Sequence, residues 1–156
     1  MRLIIAAPGR LHHPGAQAFA EDYSRRIERI MPLHRQTIRE ARRRKGGRDP
    51  RAQDKESAAL LRTIPQGATL VAMDAGGKAM NSEAFLLWLV GLAETGTRHL
   101  AFVIGGPDGL SREVLEASDR KLSLSPMVLP HELAEVLLLE QIYRALCRWK
   151  GLPYHR

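Results

Sequence analysis

At 156 residues, with 44% hydrophobic but only 5% aromatic side chains, the chain has the size of one domain with a mainly aliphatic core. Such a chain buries about two-thirds of its unfolded surface and needs no disulfide or structural metal to do so. A lone cysteine, Cys147, excludes an intramolecular disulfide and argues against a secreted framework, so the cytoplasm is the expected compartment. The formal net charge of +7 predicts attraction to polyanions, whereas the opening apolar run of MRLIIAAPGR is too short for a signal sequence or a membrane span.

Along the chain, short apolar runs alternate with longer amphipathic stretches, the pattern of strand–helix–strand units around a largely parallel sheet. Leu3 to Ala7 reads as the first strand, and Gln17 to Arg29 as a helix with Phe19, Tyr23, Ile27 and Ile30 on one face. Leu33 to Arg39 reads as a second strand. Residues 39 to 55 then carry eight basic and three acidic side chains, a surplus of five. A run of this kind is either a solvated loop or a phosphate-contacting arm, and Arg42, Arg43, Arg44, Lys45 and Arg48 are its candidate phosphate contacts.

Ala52 to Thr63 reads as a helix and Thr69 to Met73 as a buried strand that ends in a turn, Asp74-Ala75-Gly76-Gly77-Lys78. Asn81-Ser82 form a cap ahead of a helix reaching about Ala93. Leu100 to Ile104 is continuously apolar and stops at glycines, which assigns it to the centre of the sheet. A tight turn, Gly105-Gly106-Pro107-Asp108-Gly109, and a short helix from Ser111 to Ala117 follow. Lys121 to Val128 begins with alternation and reads as a last short strand running into a loop, and Pro130 opens a helix from His131 to Trp149. In that helix Leu133, Val136, Leu137, Leu138, Leu139, Ile142 and Leu146 exceed one narrow stripe, which predicts a second covered face and hence a homodimer.

Glycine turns after a buried strand let a backbone approach a ligand, but sharp turns recruit glycine in any case. The Gly77-Lys78 pair lacks a Walker loop's first glycine, because Ala72 stands there, and the later glycines lack the dinucleotide-binding spacing. Six scattered histidines and one cysteine give no metal-ligand spacing, so no metal is expected. Ser111, His131 and Asp108 could be written as a hydrolytic triad, yet no nucleophile elbow accompanies them.

Taken together, VIGGPDGLS at 103–111, LSLSPMVLPHELAEVLLLEQIYRA at 122–145 and PYHR at 153–156 are far more specific than any one of them. With these motifs the chain closely resembles the ribosomal RNA large subunit methyltransferase H family, a minimal branch of the SPOUT superfamily. The resemblance runs end to end and is strongest over the last sixty or so residues. It implies an α/β parallel-sheet SPOUT fold, homodimeric, with a deep C-terminal trefoil knot, a topology that chain-connection rules alone make very improbable.

The resemblance further implies that S-adenosylmethionine is held by Met73, Gly105 and the loop Leu124-Ser125-Pro126-Met127-Val128-Leu129. It implies methylation of N3 of a pseudouridine in large-subunit ribosomal RNA on assembled ribosomes, with Tyr154, His155 and Arg156 completing the active site. His131 and Arg144 fall in matching segments, where substrate contact and plain structure are both open. One departure stands out: Glu135 occupies a position where relatives carry arginine. The rival expectations are a noncatalytic basic RNA-binding or ribosome-assembly factor and a methyltransferase for another RNA such as transfer RNA.

Overall fold

A computed structural model describes residues 1–43 and 47–154. Five strands and five helices alternate along the chain. They are β1 (Arg2–Pro8), α1 (Pro14–Glu28), β2 (Leu33–Ile38), α2 (Pro50–Thr63), β3 (Thr69–Ala79), α3 (Ser82–Glu94), β4 (His99–Ile104), α4 (Arg112–Ala117), β5 (Arg120–Ser123) and α5 (His131–Trp149). All strand pairs are parallel, and the sheet order is β2-β1-β4-β3-β5. The continuously apolar β4 occupies the centre, as its sequence predicts.

Because side chains alternate across a strand, each buried strand supplies both faces of the sheet. Leu3, Ile5, Ala7, Val71, Leu100, Phe102 and Ile104 face one cluster, with Ala20 and Ile27 of α1, Phe85 and Leu89 of α3, and Leu138, Leu139, Ile142 and Leu146 of α5. Ile4, Ala6, Leu70, Ala72, Ala101 and Val103 face the other, with Leu60 of α2 and Val114 of α4. The four α5 side chains are fully buried, each worth about 1.5–3 kcal/mol of transfer free energy. The sheet is thus covered on both faces.

Local chemistry sets the helix starts. Backbone N–H groups donate to His13 Nδ1 at α1, Asp49 Oδ1 at α2, Asn81 Oδ1 at α3 and Ser111 Oγ at α4. Proline occupies the start of α1 and α2, where its missing N–H has no helical partner to lose. By contrast α5 begins at Pro130 with no side-chain cap, which leaves its first N–H groups without a side-chain acceptor.

Two expectations need correction. The face that α1 buries is Ala16, Ala20, Ser24 and Ile27, while Phe19 is 59% exposed; small residues let α1 lie close against α5, and the large ring is turned outward. The Asp74–Lys78 segment is not a terminal turn, because β3 runs on to Ala79. Its residues 74–77 bulge, so that Met73 and Lys78 both register with Leu122 of β5. The Gly77 backbone lies so close to β5 that a Cβ would stand 2.7 Å from the Lys121 carbonyl carbon, which explains a glycine there. As expected, β5 is short, ending at Ser123, and residues 124–130 form the loop that follows it.

Candidate functional site

Parallel strands put all their C-terminal ends on one edge of the sheet, the usual place for a ligand in an open α/β fold. Met73 on β3 registers with Ile104 of β4 on one side and with Leu122 of β5 on the other. Gly105 directly follows Ile104, and Leu124 lies two residues beyond Leu122, so Met73, Gly105 and Leu124 come together at that edge. Met73 and Leu124 are half-buried and pack against the larger core cluster. Beyond them, Ser123 Oγ donates to the Ser125 carbonyl and the Met127 N–H donates to Ser125 Oγ, which shapes the loop. Met127 and Val128 then project with 71% and 87% exposure. Apolar walls, a close-approach glycine and two uncovered apolar side chains in one loop suit a ligand with an apolar or aromatic body.

The glycine turn after β4 is built tightly. Gly109, at φ +77°, donates its N–H to the Gly106 carbonyl at 2.8 Å. A Cβ on Gly105 would meet the Leu110 nitrogen at 2.7 Å, so only glycine closes this turn. From α2, Gln53 Nε2 donates to the carbonyls of Asp108 and Leu110 at 2.8 and 2.9 Å, and Ser57 Oγ accepts the Ser111 N–H. Gln53, Glu56 and Ser57 are all buried. Polar residues at the core-facing spacing of α2 were the sequence signal for this support; read only as a helix, α2 does not disclose it.

Arg43 joins the same network. Its guanidinium bonds Glu56 Oε2 at 2.6 Å and also Asp108 Oδ2, and Glu56 Oε1 accepts the Ala41 N–H. Arg42 and Arg48 remain exposed, with Arg48 at 3.5 Å from Gln53 Oε1. Of the basic arm expected to meet RNA, Arg44 and Lys45 lie outside the described residues, as do His155 and Arg156 of the tail. Among the described residues, no three His, Cys, Asp or Glu side chains group as a metal site, and no helix is long and apolar enough to cross a membrane.

At the start of α5, Glu132 accepts the N–H groups of His12 and His13, both at 3.0 Å, and so ties the β1–α1 loop to the loop-facing end of the helix. These two bonds, foremost that from His12, hold the Glu132 carboxyl below its ordinary range. His131 Nε2 is buried and has no hydrogen-bond partner among the described residues. The triad written from the sequence does not form: Asp108 is engaged by Arg43, and Ser111 Oγ caps α4. Glu135 is buried and bonded at 2.7 Å by Arg35 of β2.

Tyr154 rests on the outer side of α1 and α5. Its hydroxyl lies 3.0 Å from that of Tyr23 and 3.3 Å from Glu140 Oε1, its ring meets Tyr143 edge-on at 4.6 Å, and Arg144 stacks over it. Arg144 itself is bonded by Glu140 within the helix. Burial, and then the hydrogen bond with Tyr23, push the Tyr154 phenol well above its ordinary range. It stays protonated and is no base at neutral pH.

Comparison with known sequences bears directly on this geometry. The family described as "Predicted SPOUT methyltransferase" matches residues 1–155. Proteins named ribosomal RNA large subunit methyltransferase H are similar along their whole length. That of Rubrobacter xylanophilus is 42% identical over 156 residues, covering 99% of this chain and 98% of its own. That of Gemmatimonas aurantiaca is 38% identical over 156 residues, covering all of both chains, and that of Sorangium cellulosum is 38% identical over 154 residues, covering 99% of each. The chain belongs to the ribosomal RNA large subunit methyltransferase H family of SPOUT methyltransferases. For a member of this family, the convergence of Met73, Gly105 and Leu124 at the strand ends is where a methyl donor is to be sought, and the apolar, glycine-lined edge fits one.

Proposed function

We propose that the protein transfers a methyl group from S-adenosylmethionine to N3 of a pseudouridine in large-subunit ribosomal RNA, acting in the cytoplasm on assembled ribosomes. The observation that carries this reading is the meeting of the family's three cofactor segments, around Met73, Gly105 and Leu124, at one sheet edge. Full-length similarity to proteins named as large-subunit RNA methyltransferases supplies the substrate class.

Met73, Gly105 and the loop Leu124-Ser125-Pro126-Met127-Val128-Leu129 would hold the cofactor, whose sulfonium makes its methyl group electrophilic. The protein then has to hold the acceptor nitrogen in line and receive the imino proton, work that needs few reactive groups. Since Tyr154 stays a phenol, its part is to anchor the tail through Tyr23 and Glu140. The proton falls to His155, while Arg156 holds phosphate or the developing negative charge. Arg42 and Arg48, exposed on the basic arm, contact RNA phosphate, with Arg44 and Lys45 beside them in sequence.

The reading extends to architecture: one SPOUT domain over residues 1–156, a C-terminal trefoil knot that wraps the cofactor loop, and a homodimer in which one tail completes the partner's site. Calorimetry with S-adenosylmethionine, followed by methyl transfer from labelled cofactor to ribosomes lacking the modification, tests the function. Saturable cofactor binding with label recovered as N3-methylpseudouridine is expected. Label in transfer RNA instead would move the substrate, and ribosome binding without cofactor binding or transfer would make the protein a noncatalytic RNA-binding factor.

A further inference from the structure

The basic arm divides in two by what its side chains touch. Arg42 and Arg48 are exposed, but Arg43 turns inward, its side chain 23% exposed, between two carboxylates that are almost completely buried. Those carboxylates belong to different elements. Glu56 lies on α2, and Asp108 lies in the turn after β4 that the proposed function assigns to the cofactor. Asp108 also accepts the Asp49 N–H at 3.3 Å. The turn backbone presses on this pair: a Cβ on Gly106 would stand 2.6 Å from Glu56 Oε2 and 2.8 Å from an Arg43 guanidinium nitrogen.

We propose that Arg43 is a positioning residue of the cofactor turn and not an RNA contact: it bridges Glu56 and Asp108 and so fixes the backbone of Gly105 and Gly106. Two carboxylates this close repel unless a cation lies between them, and only a forked guanidinium offers separate nitrogens to each. A phosphate would have to pull Arg43 away from both and leave Glu56 uncompensated in a buried site. This assignment rests on the proposed function, because it takes residues 105–109 to be a wall of the methyl-donor site.

The test uses the full-length protein, S-adenosylmethionine and whole ribosomes. The double variant Arg43→Met with Glu56→Gln removes the cation together with the charge of the more deeply buried carboxylate, and Asp108→Asn loosens only the turn-side arm should the double variant not fold. Cofactor affinity is expected to fall at least about tenfold in either variant, a change of about 1.4 kcal/mol. The salt dependence of ribosome binding should stay at the wild-type slope, and Arg43→Lys should restore cofactor affinity only in part. Arg42→Gln with Arg48→Gln should do the reverse, lowering the salt slope by about two, near one for each lost phosphate contact, with cofactor affinity unchanged.

A folded Arg43 double variant or Asp108→Asn variant that binds cofactor like the wild type, or whose salt slope drops, overturns the assignment while the wild type's own cofactor binding leaves the function standing. Wild-type protein that binds no cofactor overturns the reading of the site, and this role for Arg43 with it.

Discussion

Glu135 and Arg35 stand 100 positions apart in sequence yet form one ion pair between α5 and the edge strand β2. The two partners are unequally buried, with side chains 7% and 27% exposed respectively, so their losses should be unequal. Arg35→Ala strands a carboxylate with almost no access to water and is expected to cost about 3 kcal/mol in chemical denaturation. Glu135→Ala leaves a guanidinium that can reach solvent, and should cost clearly less. Equal losses would mean that the pair holds the helix through packing rather than charge. Glu132 acts through hydrogen bonds instead. Its carboxyl is held below its ordinary value of 4.5 in the folded chain, so its contribution is complete above that value and lost as pH falls through the folded one. The thermal midpoint of the wild type should exceed that of Glu132→Gln by a constant margin above about pH 5, and the margin should close under acid conditions. A margin that widens in acid would show that the two loop N–H groups are not what the carboxylate serves.

At the level of elements, α5 has two unlike sides. Leu138, Leu139, Ile142 and Leu146 are sealed in the core, while Leu133 and Leu137, one turn apart, are 50% and 42% exposed. The sequence disclosed the surplus of apolar residues on this helix but not which of them the chain itself covers, since that depends on where α1 and α3 pack. Leu137→Asp places a charge where a second copy is proposed to sit, and light scattering should find single chains where the wild type gives dimers. An unchanged mass would remove α5 from the interface. β3 teaches a similar lesson. Its Asp74-Ala75-Gly76-Gly77-Lys78 reads as a turn by composition, yet pairing with β5 beyond the bulge keeps it in the strand, because a ladder partner outweighs weak local preference.

Across the whole molecule, what was legible follows the range of the interactions concerned. Apolar runs and helix caps are local, and so the alternation of elements, the central place of β4 and the last helix could be read along the chain. Met73, Gly105 and Leu124 could be named through family motifs, but their meeting depends on strand order, which no periodicity encodes. The inward turn of Arg43 was hidden for the same reason: among its neighbours in sequence it is one more basic residue, and only Glu56 and Asp108 distinguish it. That strand order also governs how the protein is born. β1 is made first, but its two neighbours are β2 and β4, whose facing ends are separated by residues 39–98. At about 5–20 residues per second a growing chain spends on the order of 3–12 seconds between them. Throughout that interval Leu3-Ile4-Ile5-Ala6-Ala7, a continuous apolar run, has one edge without its native partner, and an apolar strand edge in that condition recruits other chains. The nascent protein therefore carries an unpaired apolar edge before its own site exists, and a chaperone acting on it in that interval would shelter β1 until β4 has left the ribosome.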